Sequence, residues 1–362
     1  MLGASNADGR AKPDGHPSSV PRRAPAGVLG RVEAMTWIVT GGAGYIGSHV
    51  VCALVDSGRS VVVLDDLSCG YAEFVAPQAR LVRGSVVEPA AVDAAVEAAG
   101  GRVAGVVHLA GFKYAGVSVD RPLHTYRQNV TGVQVLLERL SNHGIEAMVF
   151  SSSAACYGTP DVDLVTEATP TRPESPYGES KLIGEWLLRD VGRVCPLRHT
   201  SLRYFNVVGS GHPDLYDTSP HNLFPLVLKA LTEGRTPAVF GTDYPTPDGS
   251  CVRDYVHVQD IALAHLAAAE ALEAGRPLQP VYNLGSGDGL SVLEVMAAVA
   301  RVTGLEFEPD RRDRRPGDPA RIVASGALAG RDLGWAMRHD VDQMVASAWR
   351  AWQLATQAAA LP

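Results

Sequence analysis

Residues 36–66, TWIVTGGAGYIGSHVVCALVDSGRSVVVLDD, constrain the fold more than any other part of the chain. A short apolar run, a glycine-rich turn, a helical stretch and a second apolar run ending in acid spell one β-turn-α-β unit. Glycines at such a turn permit a tight bend, close backbone approach to a pyrophosphate and close helix–strand packing, while the helix start offers unpaired N–H donors. The unit therefore reads as a dinucleotide cradle with Gly41, Gly44 and Gly47 at its turn. Asp65 follows Gly47 by 18 residues (65 − 47), near the offset at which a carboxylate accepts from the adenosine ribose hydroxyls. It would repel a 2′-phosphate, so NAD is favoured over NADP. Asp66 reads equally as a second contact or as a turn residue.

The alternation continues through ARLVRGS, VAGVVHLAG, EAMVFSS and HTSLRYFN, with Ala/Leu-rich stretches between. Continuously apolar short strands separated by helices indicate a parallel sheet covered on both faces. The expected fold is α/β, a doubly wound Rossmann-like sheet with a smaller C-terminal α/β substrate domain. Residues 1–34 are rich in Gly, Pro, Ala, Ser and Arg without apolar period, and are expected to form a disordered tail. Residues 35–205 are expected to bind the dinucleotide. Residues 206–362 are expected mainly to hold the substrate, with some segments returning to the first domain. The stretch 209–249 reads as loops, with helices expected at 175–193 and 258–274 and from 291 onward.

A net charge of −7 and a pI near 5.9 supply no basic field for nucleic acid. No apolar run is long enough to span a bilayer, and no signal-peptide core is evident, so no membrane association and a cytoplasmic location are expected. The five scattered cysteines form no C-x-x-C pair, and no metal is expected.

In SPYGESK, Tyr177 and Lys181 stand four apart, neighbours on one helical face. An ammonium beside a phenol stabilises tyrosinate and makes it usable as a base near neutral pH. Upstream, Ser151, Ser152 and Ser153 close a strand whose end faces the crevice where such sheets bind ligands. His108, alone on an apolar strand, reads as packed core.

Glycine fingerprint, serine-rich strand end and Y-x-x-x-K follow one another in the order of the short-chain dehydrogenases/reductases, which the chain resembles. TGGAGYIGSH, VVHLAGFK, FSSSAACYG, SPYGESK, LRYFNVVG, NLFP, FGTDYPTPDGSCVRDYVHV, YNLGSG and RPGD resemble the UDP-glucose 4-epimerase branch of the extended members of that family, over about residues 35–352. The resemblance implies Tyr177 as general base and acid, Lys181 as its tuner and ribose anchor, and Ser153 on the reacting hydroxyl. It implies NAD contacts from Gly41, Gly44, Tyr45, Ile46, Gly47, Asp65, Asp66, Ser85, Val86, Leu109, Ala110, Gly111, Lys113, Asn129, Ser151, Tyr177, Lys181 and Tyr204. For the substrate it implies Lys113, Ser153, Tyr177, Phe205, Asn206, Asn222 and Leu223, with Arg253 and Arg315 on phosphates and Asp318 on a uridine ribose hydroxyl.

The implied substrates are UDP-glucose and UDP-galactose, and the implied assembly is a homodimer through helices near 123–143 and 176–192. Ser85 stands where the family commonly has Asp, Val117 where it has Glu, and Ser325 where it has Asp. Ile322 falls where side-chain size limits the sugar pocket, so partial acceptance of N-acetylhexosamine substrates is expected. Other UDP-sugar 4-epimerases are the nearest alternative, and a non-enzymatic dinucleotide sensor a more distant one.

Overall fold

The computed structural model describes residues 35–315 and 318–359. The expected N-terminal tail, residues 1–34, lies outside them. Six strands in chain order, β1 (Thr36–Thr40), β2 (Ser60–Asp65), β3 (Arg80–Arg83), β4 (Val103–His108), β5 (Ala147–Ser151) and β6 (Arg198–Tyr204), join a seventh, Val281–Leu284, in one parallel sheet. From one edge the order is Val281–Leu284, β6, β5, β4, β1, β2, β3. The order reverses between β1 and β4, which opens a crevice at the strands' C-terminal ends.

Alternation along the strands sends side chains to two cores. Trp37, Val39, Val61 and Val63 pack with α1 (Tyr45–Asp56), while Ile38, Val62 and Leu64 pack on the opposite face with α2 (Pro89–Ala98). Two short helices follow β4, α3 (Ala115–Asp120) and α4 (Pro122–Tyr126), and a π-helical turn at Arg127–Thr131 leads into α5 (Gly132–Asn142). Helix α6 (Pro176–Gly192) joins α5 on the second face. Ser175 caps α6 by accepting from Gly178 N at 3.2 Å, with Pro176 in the first turn.

The stretch read as loops contains a helix, α7 (Leu223–Thr232), and a strand, Ala238–Phe240. The Gly/Pro/Asp-rich flanks masked the helical spacing of Phe224, Val227 and Leu228, which are buried. Phe224 and Val227 share a third core with Val295, Met296 and Val299 of Val292–Thr303 and with Met344 and Val345 of Val341–Ala359. Helix α8 (Val258–Glu273) instead lies on the large sheet beside α1. Among the described residues no helix is long and apolar enough to cross a membrane.

Candidate active site

The crevice is a single cleft of about 970 Å³ running from the glycine turn past the ends of β4, β5 and β6 to the loops around α7. Gly41 has φ +74°, and a Cβ there would meet Ala110 N at 2.6 Å. At Gly47 a Cβ would meet Gly41 O at 2.0 Å. Only glycine lets the turn fold this tightly. Gly44 caps α1 without a side-chain partner, so the first-turn N–H groups are left for an anion.

Asp65 is buried at the end of β2, where its carboxylate accepts from Ala43 N at 3.0 Å and Leu67 N at 2.9 Å. Burial raises its pKa, against those two hydrogen bonds. The second bond holds Leu67 at φ 60°, a left-handed conformation uncommon without glycine. Asp66 accepts from Ser68 N at 2.9 Å, forming a turn, and also lines the cleft. Beyond it the wall is made by Ser85, Val86, Leu109, Ala110, Gly111 and Lys113. Glycine turn, braced carboxylate and free helix start together fit a dinucleotide.

At the ends of β5 and β6 lie Ser151, Ser153, Tyr177, Lys181 and Tyr204. Ser151 and Tyr204 share a hydrogen bond between hydroxyls, and the Lys181 ammonium donates to Ser151 O at 2.9 Å. That ammonium lies 5.8 Å from the Tyr177 ring centroid. Burial depresses Lys181 to about 8 and raises Tyr177 to about 12, although the Ser153 hydroxyl draws the phenol back down. Here the residues depart from the sequence expectation. In the protein alone, loss of solvent outweighs the Ser153 hydroxyl, so Tyr177 is a neutral phenol at pH 7 and its activation needs added positive charge.

A buried network supports this corner. Glu185, one turn beyond Lys181, accepts from Ser152 at 2.5 Å and pairs with Arg203 through contacts of 2.8 and 2.5 Å. Arg203 also lies over the Tyr157 ring at 4.7 Å. The Tyr177 amide donates to Ser118 Oγ at 3.1 Å, tying α6 to α3.

On the far wall, the Arg315 guanidinium lies 3.9 Å over Phe240, and Arg253 pairs with Asp318 at 3.4 Å. Arg253 does not pair with its neighbour Asp254, whose buried carboxylate accepts from Ser286 N and Ala324 N instead. Phe205, Asn206, Asn222 and Leu223 complete the wall, with Asn222 donating to Asp217 at 2.7 Å.

Two assigned residues are not brought to the cleft. Asn129, within the π-helical turn, spends its amide on Phe112 N at 2.7 Å, Phe112 O at 3.0 Å and Ser180 Oγ at 2.8 Å. Both of its N–H donors are used, so it clamps the loop after β4 to α6 rather than offering them to a ligand. Ile322 is absent from the cleft wall as well. The strand Arg321–Ile322 pairs with Val252–Arg253, and Ile322 packs against a small cluster of Tyr157, Val165 and Ala324 that Phe205 also meets. Any effect of Ile322 on the sugar space is therefore transmitted through that cluster.

The cleft also holds residues that motif reading passed over: Cys69, Tyr114, His221, Arg235, Phe240 and Tyr255. Helical spacing around 223–232 could have placed His221 at a helix start. Nothing local to Cys69 or Tyr114 marks either one. His108 is buried, bonded to Thr40 Oγ1 at 2.6 Å and held neutral by burial, as a packed strand histidine should be.

The chain is 42% identical over 318 residues to the UDP-glucose 4-epimerase of Corynebacterium glutamicum, covering 87% of this chain and 95% of that one. It is 40% identical over 340 residues to the UDP-glucose 4-epimerase of Bacillus subtilis, covering 88% and 97%. Among solved structures, the Stenotrophomonas maltophila UDP-glucose 4-epimerase with bound NAD and formylated UDP-arabinopyranose superposes with TM-score 0.85 at 37% identity, covering 90% of this chain and all of that one. The sequence profile of the NAD dependent epimerase/dehydratase family matches residues 37–285, the span from β1 through the seventh sheet strand that builds the glycine turn and the Tyr177 corner, and the chain belongs to that family.

Proposed function

We propose that this protein is an NAD-dependent nucleotide-sugar 4-epimerase that interconverts UDP-glucose and UDP-galactose. One observation carries the reading: Tyr177, Ser153 and Lys181 share a continuous cleft with Arg253, Arg315 and Asp318, so proton-transfer groups and a diphosphate clamp serve one ligand. The named relatives, similar over nearly their whole length, support it.

NAD held by the glycine turn, Asp65 and Lys181 would supply a reversible hydride acceptor for sugar carbon 4 and, when oxidised, the positive charge that favours tyrosinate at Tyr177. Tyr177 takes the proton of the 4-hydroxyl, and Ser153 holds that hydroxyl in line. Lys181, anchored on Ser151 O, orients the cofactor ribose and stabilises the phenolate. Arg253 and Arg315 match phosphate oxygens in pairs, and Asp318 accepts from the uridine ribose. Phe205, Asn206, Asn222 and Leu223 border the sugar, which turns over between hydride loss and return while the diphosphate stays clamped. Residues 35–205 then serve mainly the cofactor and residues 206–362 mainly the nucleotide sugar. Ala154 and Ala155 follow Ser153, where a dehydratase would need acidic residues, so elimination of the 6-hydroxyl is disfavoured.

The reading extends to a cytoplasmic homodimer that pairs α4–α5 and α6, on which Leu123 and Trp186 are exposed. The chemistry is tested with UDP-galactose deuterated at carbon 4. Deuterium kept at carbon 4 of the UDP-glucose product is expected, and its exchange into solvent overturns the reading.

A further inference from the structure

Three loops meet over the middle of the cleft. One follows β2 and carries Cys69, one follows β4 and carries Phe112 to Tyr114, and one precedes α7 and carries Tyr216 to Asn222. Tyr114 lies where they join. Its hydroxyl lies near Cys69, on the wall that continues from Asp65. Its ring meets His221 edge-on, with centroids 5.0 Å apart at 73°, on the opposite wall beside Asn222. Phe112 meets the Tyr114 ring edge-on at 5.6 Å. Outside this contact, Tyr71 packs on Phe74 at 5.1 Å and Phe74 on Tyr216 at 5.4 Å, a second aromatic seam between the first and third loops.

We propose that Tyr114, held between Cys69 and His221, is a cofactor-retaining residue that bridges the two walls of the cleft and keeps NAD in place through successive turnovers. The inference rests on the proposed epimerase reading, in which the hydride must return to the same sugar. Escape of the reduced cofactor in mid-cycle would strand a keto sugar, so slow exchange has a chemical purpose. Edge-to-face aromatic pairs resist separation beyond the area they bury.

The test measures release of NAD from purified full-length protein, trapped as it dissociates by a coupled dehydrogenase, for wild type, Tyr114→Ala and Tyr114→Phe. Far-UV circular dichroism verifies that each variant is folded. Tyr114→Ala is expected to release NAD about tenfold faster, the factor that about 1.4 kcal/mol of lost contact produces. Tyr114→Phe keeps the ring contacts with Phe112 and His221, so a rate close to that of wild type is expected. This grading separates retention from a general loosening of the fold. Wild type that holds NAD together with a Tyr114→Ala variant that releases it no faster overturns the inference alone. Wild type that neither carries nor binds NAD overturns the epimerase reading and the inference with it.

Discussion

Lys181→Met isolates the cost of building the catalytic corner. The Lys181 ammonium is buried, and desolvation lowers its pKa from 10.5 to about 8. Between those values the unfolded chain binds more protons than the native protein, so stability must rise with pH. For this one group the gain between neutral pH and about pH 9.5 is about 2 kcal/mol. Tyr177, raised to about 12, acts in the opposite direction only above pH 10 and is present in both proteins. Methionine fills similar volume and carries no charge, but it leaves Ser151 O without the Lys181 donor, which costs about 1–3 kcal/mol. At neutral pH the two effects nearly offset, and Lys181→Met should unfold within about 1 kcal/mol of wild type while losing activity. The assay is urea unfolding of nucleotide-free protein, followed by circular dichroism at several pH values. Wild type minus variant should grow by about 2 kcal/mol toward alkaline pH. A difference that stays flat, or shrinks, refutes the burial argument.

Glu185→Ala would leave the Arg203 guanidinium buried without its carboxylate and should cost about 3–5 kcal/mol by urea unfolding; a loss under about 1 kcal/mol would show that water or another group replaces it. Gly47→Ala forces a Cβ to within 2.0 Å of Gly41 O, so the turn must open. NAD binding by calorimetry should weaken by about tenfold or more, and unchanged affinity would mean that the turn does not cradle the cofactor. Ile322→Tyr adds bulk to the cluster that Phe205 meets, and should lower kcat/KM for UDP-N-acetylgalactosamine more than for UDP-galactose. Equal effects on both substrates would detach Ile322 from sugar selection.

What could be read from the sequence was whatever a short stretch encodes by itself. The sheet strands and the glycine turn were legible because parallel strands buried on both faces must be continuously apolar, and because the close approach at Gly41 and Gly47 admits no side chain. The Tyr177–Lys181 pairing was legible because helix periodicity alone makes them neighbours. The pKa values were not, since spacing shows the ammonium near the phenol but not the desolvation around both. The partners of Asn129 were not legible either, since Phe112 and Ser180, whose oxygens take its amide donors, lie 17 and 51 residues away. The surroundings of Ile322 were hidden for the same reason, because which face of a two-residue strand meets the cleft depends on its pairing with Val252–Arg253. Tyr114 and His221, 107 residues apart (221 − 114), meet only once the loops have folded over the crevice.

The central claim is that Tyr177 moves the proton of a sugar hydroxyl while a cofactor already held in the cleft stores the hydride. It is tested most directly by incubating purified protein with UDP-galactose, without added NAD, and following UDP-glucose formation by wild type and Tyr177→Phe. Turnover by wild type is expected, with a rate lower by about 10²–10⁴ in the variant, the range for a lost acid–base group. A variant that epimerises at close to the wild-type rate, or a wild-type protein that carries NAD and leaves UDP-galactose unchanged, would contradict it.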